Sequence, residues 1–249
     1  MELPILFHDD QLIAIHKPAG LLVHQTNLDR GEDKDAMRML RDQIGRWVYP
    51  VHRLDKATSG VLVFGLSSEA ARQAAKQFEE RTVEKQYLAV VRGYTQEEAL
   101  IDYPLKPLWE KKRGKRLSQP KPAQDAQTYY KRIATTELPH PVGRYETARY
   151  SLMILSPKTG RSRQLRRHMK HISHPILGDR SHGDTKHNAF IASFTGKSRL
   201  MLHAHSLALL HPLTNKPLLI TAGLADEFQH VLSVLGLDTK EGFQKNPPD

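Results

Sequence analysis

Cysteine is absent from the 249 residues, which excludes a disulfide scaffold, a thiolate zinc site, an iron–sulfur cluster and a cysteine nucleophile. Only oxygen and nitrogen groups remain as ligands or catalysts. Long apolar runs are also missing: Leu207 to Leu210 is among the longest, far short of the roughly 18 residues that a membrane helix needs. At the N-terminus Leu3, Ile5, Leu6 and Phe7 run directly into His8, Asp9 and Asp10, with no basic leader and no small-residue cleavage site, so a cytoplasmic protein is expected. Acidic charge is in short supply. Against 37 Lys and Arg stand 27 Asp and Glu, a formal net charge of +10, and on a chain without a membrane segment that surplus points to a polyanionic partner. With 39% hydrophobic residues the chain can still bury a core and fold.

The first half alternates strand and helix signals. Leu12 to His16 reads as a strand entering a Lys17-Pro18-Ala19-Gly20 turn, and Met37, Leu40, Ile44 and Trp47 recur at helical spacing, predicting a helix over about 34–47. Val61 to Phe64 reads as a short buried strand. Ser67 or Ser68 with Glu69 caps a helix running to about Glu80, and a strand follows over Gln86 to Arg92. From Tyr103 to about Glu146 the character changes: six of the 15 prolines fall there beside Lys111, Lys112, Arg113, Lys115 and Arg116. This segment is expected to leave the core as a basic excursion. Strands at Tyr150–Ser156 and Leu200–Leu210, helices at about 162–172 and 226–235, and a flexible tail over 240–249 complete the expectation of one domain over 1–249.

The densest polar run is His52-Arg53-Leu54-Asp55-Lys56-Ala57-Thr58-Ser59-Gly60. A carboxylate flanked by cations and hydroxyl donors in a tight loop is held ionised and can act as nucleophile or general base, though the same Asp could simply cap a turn. Past Gly160, Arg163, Arg166, Arg167 and Lys170 follow at i, i+3, i+4 and i+7, so four cations share one helix face; Arg166 is expected to turn inward, which leaves Arg163, Arg167 and Lys170 as a phosphate rail. His168, His171 and His174 also recur at three-residue spacing, but without a completing carboxylate they read as packing or surface histidines, and no metal site is assigned.

His-Arg-Leu-Asp, two variable residues and Thr-Ser-Gly is the catalytic pattern of the RluA-type pseudouridine synthases, and the chain resembles it at all seven fixed positions. Other segments resemble the family in the same order. They are Lys17-Pro18-Ala19-Gly20 with Val23-His24, Lys85-Gln86-Tyr87, Thr159-Gly160-Arg161-Ser162-Arg163-Gln164-Leu165-Arg166, His174-Pro175-Ile176-Leu177-Gly178-Asp179 and Leu202-His203-Ala204. The resemblance runs from about Ile5 to Leu224.

The resemblance implies an α+β domain on a mixed, largely antiparallel sheet, with the site in a basic cleft. It also implies isomerisation of an RNA uridine to pseudouridine, without cofactor or metal. Carried over by motif position, Asp55 is the catalytic aspartate, Tyr87 the aromatic that contacts the uracil, Arg166 the partner of the aspartate, and Arg53 the side chain that enters the helix where the base has left. These roles suit the residues. An extruded base needs a ring to stack on, and its vacated place suits a flat cation. Whether Asp55 adds to the substrate or removes a proton from C2′ of the ribose stays open. No S4-like RNA-binding domain is expected. Secondary matches at Leu28-Asp29-Arg30, 41–45 and Gly143-Arg144-Tyr145 are most similar to a branch acting on tRNA in the T-arm stem. A monomer working on tRNA is therefore expected, the alternatives being the same chemistry on ribosomal RNA or an idle RNA-binding protein of this fold.

Overall fold

The structure is a computed structural model that describes residues 2–25, 34–108 and 121–237. The five cations of 111–116, the tail from 240 and Leu28-Asp29-Arg30 lie outside the described residues. The chain order is β1 (Ile5–His8), β2 (Leu12–Lys17), α1 (Ala36–Ile44), β3 (Tyr49–Pro50), β4 (Ser59–Gly65), α2 (Ser68–Glu79), β5 (Glu84–Arg92), β6 (Glu98–Asp102), β7 (Gln127–Leu138), β8 (Ala148–Pro157), α3 (Gln164–His171), α4 (Thr185–Thr195), β9 (Leu202–Leu210), β10 (Pro217–Thr221) and α5 (Asp226–Val234). Ten strands form one sheet in the order β1-β2-β4-β9-β5-β8-β7-β6, with β10 beside β9 and β3 beside β4. Every pairing is antiparallel except β4 with β9. The fold is α+β on a mixed, mostly antiparallel sheet.

The parallel contact is short, covering only Ser59 with His203 and Gly60 with Ala204. Past Ala204, β10 takes over as the neighbour of β9 through Ser206 to Leu210, so the sheet forks there. Gly60 sits at φ +115, and a Cβ on it would lie 2.1 Å from the Ala204 carbonyl oxygen. Only glycine lets β4 approach β9 this closely, and the approach fixes the segment just after Asp55.

Three apolar clusters hold the layers together. One, around Tyr150, Met153, Met169 and Phe228, packs α3, α4 and α5 against β5 and β8. The second gathers Leu40 of α1 with Ile13, Ile15, Leu62 and Phe64; the third gathers Ala71 and Ala74 of α2 with Val61, Val63 and Leu207. At the large fully buried positions, roughly 1.5–3 kcal/mol per aliphatic side chain favours this arrangement over the exposed chain.

Three expectations need correction. The first helix stops at Ile44, because Gly45 adopts φ +64 and returns its N–H to the Arg41 carbonyl; Trp47 lies outside it, 66% exposed and under the Arg41 guanidinium. The expected excursion over 103–146 contains β7, a twelve-residue strand paired with both β6 and β8. The helix after Gly160 begins at Gln164, with Arg163 at its cap in the left-handed region (φ +53). Arg163 therefore does not share a helix face with the three cations after it.

Candidate active site

Asp55 stands in the loop before β4, and its carboxylate accepts a hydrogen bond of 2.8 Å from Nη1 of Arg166 on α3. The other edge of that guanidinium is taken by Asp179. Nε and Nη2 of Arg166 donate to the two Asp179 oxygens at 2.7 Å each, the fork geometry in which arginine binds a carboxylate best. Asp179 also accepts from the backbone N–H groups of Ser181 and His182, both at 2.9 Å. Burial alone would raise its carboxyl, but these donors outweigh it and hold Asp179 below the usual carboxylate range. Arg166 is 8% exposed and the Asp179 side chain 0%, whereas Asp55 keeps 29% exposure. Two ends of the guanidinium are thus pinned by a buried acid, and the third is presented to an acid that opens on the cleft.

Each member of this cluster is fixed from behind. Gln164 accepts from Thr159 Oγ1 at 2.6 Å and from the Arg161 N–H at 3.0 Å, and donates to the Gln127 carbonyl, so the Thr159–Arg161 turn is tied to the start of α3. Gly178, at φ +74, passes so near Arg199 that a Cβ would lie 1.7 Å from its carbonyl oxygen; this approach sets the entry to Asp179. On the other side, fully buried Lys17 donates from Nζ to the carbonyls of Pro18, Leu21 and Lys56. Burial pushes this ammonium down to about 7, partly offset by the charge of Asp55. Three carbonyl acceptors match its three N–H groups and clamp the residue that follows Asp55.

The histidines of these segments serve the scaffold. Nε2 of His52 accepts from the Val63 N–H at 3.1 Å while its ring stacks on Phe78, and burial lowers it to about 3. Nε2 of His203 faces the Ala222 carbonyl at 3.2 Å and so carries the proton; Nδ1 then accepts from the Ser59 hydroxyl at 2.9 Å. Burial lowers His203 to about 3 as well, and both rings stay neutral. His168 bonds Thr128 and the Tyr103 carbonyl, His171 stacks on Tyr103, and His174 meets the Arg92 carbonyl.

Asp55, Tyr87 and Arg166 line one cleft of about 550 Å3. Arg53, Arg81, Lys85, Arg161 and Arg163 join them, so its walls carry six cations against Asp55 and Glu79. Burial and the neighbouring Asp55 charge raise the Tyr87 hydroxyl, which remains a neutral phenol. The ring packs partly against the two clusters that flank the fork. Arg53 and Arg163 are exposed, and among the described residues neither forms a salt bridge. Of the four cations spaced after Gly160, the one expected to turn inward does so. Arg166 turns inward, Arg167 is half-buried with Nη2 on the Lys106 carbonyl, and Arg163 and Lys170 stay exposed. Sequence reasoning gave Asp179 no role, although Asp179 ends a segment that already stood out by its residue order.

A family model for RNA pseudouridylate synthase matches residues 11–171. The chain belongs to the RNA pseudouridylate synthase family. It is an isomerase that makes pseudouridine in RNA. The synthase is 53% identical over 236 residues to the tRNA pseudouridine synthase C of Haemophilus ducreyi, covering 95% of this chain and 97% of that one. To the protein of the same name from Vibrio cholerae it is 49% identical over 94% of this chain and 96% of that one. Human RNA Pseudouridylate Synthase Domain Containing 4 superposes with a TM-score of 0.70 at 27% identity, covering 95% of the synthase and 94% of the human chain.

Proposed function

We propose that this synthase isomerises a uridine of tRNA, position 65 in the T-arm stem, with Asp55 as the catalytic carboxylate, acting as a cytoplasmic monomer. The observation that carries the chemical part is the Asp55–Arg166–Asp179 cluster. A carboxylate that is partly open to a cleft and fixed through a guanidinium by a second, buried acid is pre-organised to act on one substrate atom without moving. The tRNA part is supported by relatives named tRNA pseudouridine synthase C, alike over nearly the full length of both chains.

In the reaction the N1–C1′ bond breaks, the uracil turns, C5 joins C1′, and the hydrogen lost from C5 is balanced by one gained at N1. Asp55 promotes the exchange at the ribose or at the ring, and Arg166 keeps it aimed. Tyr87 gives the extruded uracil a flat neutral face, a stacking contact worth roughly 1–3 kcal/mol. Arg53, exposed on the rim two positions before Asp55, takes the vacated place in the stem.

Pseudouridine mapping of total RNA from a strain lacking this chain tests the assignment. Position 65 of tRNA should return to uridine while other sites keep their modification. Loss of a ribosomal pseudouridine with tRNA position 65 intact would overturn it.

A further inference from the structure

The synthase has a second cationic pocket that neither its chemistry nor its core explains. It encloses about 600 Å3 between the loop 142–145 and the start of α4, and Arg92, Arg144, Tyr145 and Lys186 line it with one acid, Asp184. The acid is already engaged: Asp184 takes Nη1 of Arg92 at 2.5 Å and caps α4 by accepting from the Lys186 and His187 N–H groups. Three cations against that single acid leave two positive charges, and their carriers Arg144 and Lys186 are exposed. Arg144 donates to the Tyr145 hydroxyl at 2.8 Å and lies 5.0 Å over its ring. Arg144 first, with Arg92 adding its charge, holds that phenol below its ordinary value, so it is primed to donate to an anion.

Two features tie the pocket to the site. Arg92 lies five residues along β5 from Tyr87, about 16 Å at roughly 3.3 Å per residue. The loop from Asp179 to Asp184 joins them directly: its first residue grips Arg166 and its last grips Arg92. Arg92 is the last residue of β5 and, at an odd offset from Tyr87, leaves the strand on the other face, so a stem whose uridine is drawn onto Tyr87 meets the pocket by passing round the end of that strand.

We propose that the pocket of Arg144, Tyr145 and Lys186 binds a backbone phosphodiester of the substrate RNA and sets the direction in which the stem leaves the active-site cleft. This rests on the RNA reading of the site above. The test compares binding of an unmodified tRNA transcript by the full chain and by the double variant R144A/K186A, both side chains being exposed. The Kd should rise about tenfold, and the slope of log affinity against log salt should become shallower by about 1.5–2. Conversion of bound RNA in a single turnover should stay within twofold. Unchanged Kd and slope would overturn the proposal, as would a tenfold loss of single-turnover rate at unchanged Kd. Binding needs no turnover, so failure of the tRNA assignment is separately visible as a wild-type protein that binds the transcript and forms no pseudouridine in it.

Discussion

The cluster beneath the cleft and the cations around it obey different physics. At Asp55, Arg166 and Asp179 every charge has a named partner within 2.8 Å, and two of the three side chains are nearly or fully buried. Arg53, Arg163 and Lys170 are exposed and, among the described residues, form no salt bridge. Inside, the low dielectric makes each contact strong and each loss severe. Outside, water and salt screen each charge and only the sum counts. Under the proposed function, chemistry is thus concentrated in a few irreplaceable groups, while affinity for a polyanion is spread over many replaceable ones.

The sharpest break of this contrast is Asp55→Asn. The shape and the Arg166 contact survive, but the carboxylate does not, so turnover should fall on the order of 10^3-fold or more while RNA affinity changes only a few-fold. Tritium release from C5-labelled RNA together with filter binding measures both. A variant retaining wild-type turnover would remove Asp55 from the chemistry.

Asp179→Asn reaches the same centre from behind and should cost both stability and rate. It leaves the Arg166 guanidinium buried with half its charge partner gone, a loss of about 3 kcal/mol, or a Tm lower by about 10 °C in a chain of this size. Turnover should fall about 10²-fold because Asp55 loses its fixed neighbour. The sign with pH follows from the carboxyl of Asp179 being lowered on folding. Its stabilisation is complete above the unfolded value near 4 and is lost as pH falls through the lower folded value. Thermal melts from pH 6 to pH 2 should show wild type losing stability steeply and Asp179→Asn less so. Parallel curves would mean that Asp179 does not carry the acid sensitivity.

The buried cluster is legible in the amino-acid sequence, and the cations around it only in part. Asp55 and Arg166 were legible because their neighbours in sequence are tightly specified: Ser59 must reach His203, Gly60 must clear Ala204, and Gln164 must hold the turn before it. Asp179 lies thirteen residues from Arg166, and nothing local in a lone Asp announces a bidentate partner across that gap. Helix α4 has a weak sequence signal because its buried line is His187, Ile191 and Thr195, with one apolar residue among three. Strand β7 is faint in the sequence because Gln127–Leu138 buries little beyond Thr128 and Tyr130, so its hydrophobic alternation is weak. For the cations, spacing placed Arg163 on a helix that the backbone begins one residue later.

Among the outer cations, Arg163 is expected to give only a modest change. A non-glycine residue at φ +53 is held against its backbone preference by about 1 kcal/mol, and its side chain packs into no apolar cluster. The Arg163 carbonyl still accepts the Arg167 N–H at 3.0 Å, a bond that any residue could supply. Its side chain stands on the cleft wall, and under the proposed function a backbone phosphate there is what favours arginine over glycine at the strained position. Arg163→Gly should raise stability by about 1 kcal/mol while weakening RNA binding about two- to fivefold and lowering the salt slope by slightly under one. Lys170→Ala, on unstrained helix backbone, should weaken binding similarly with no gain in stability. Turnover at saturating RNA should be unchanged in both. A loss of turnover in Arg163→Gly at normal affinity would place Arg163 with the interior cluster and erase the boundary between the two regions.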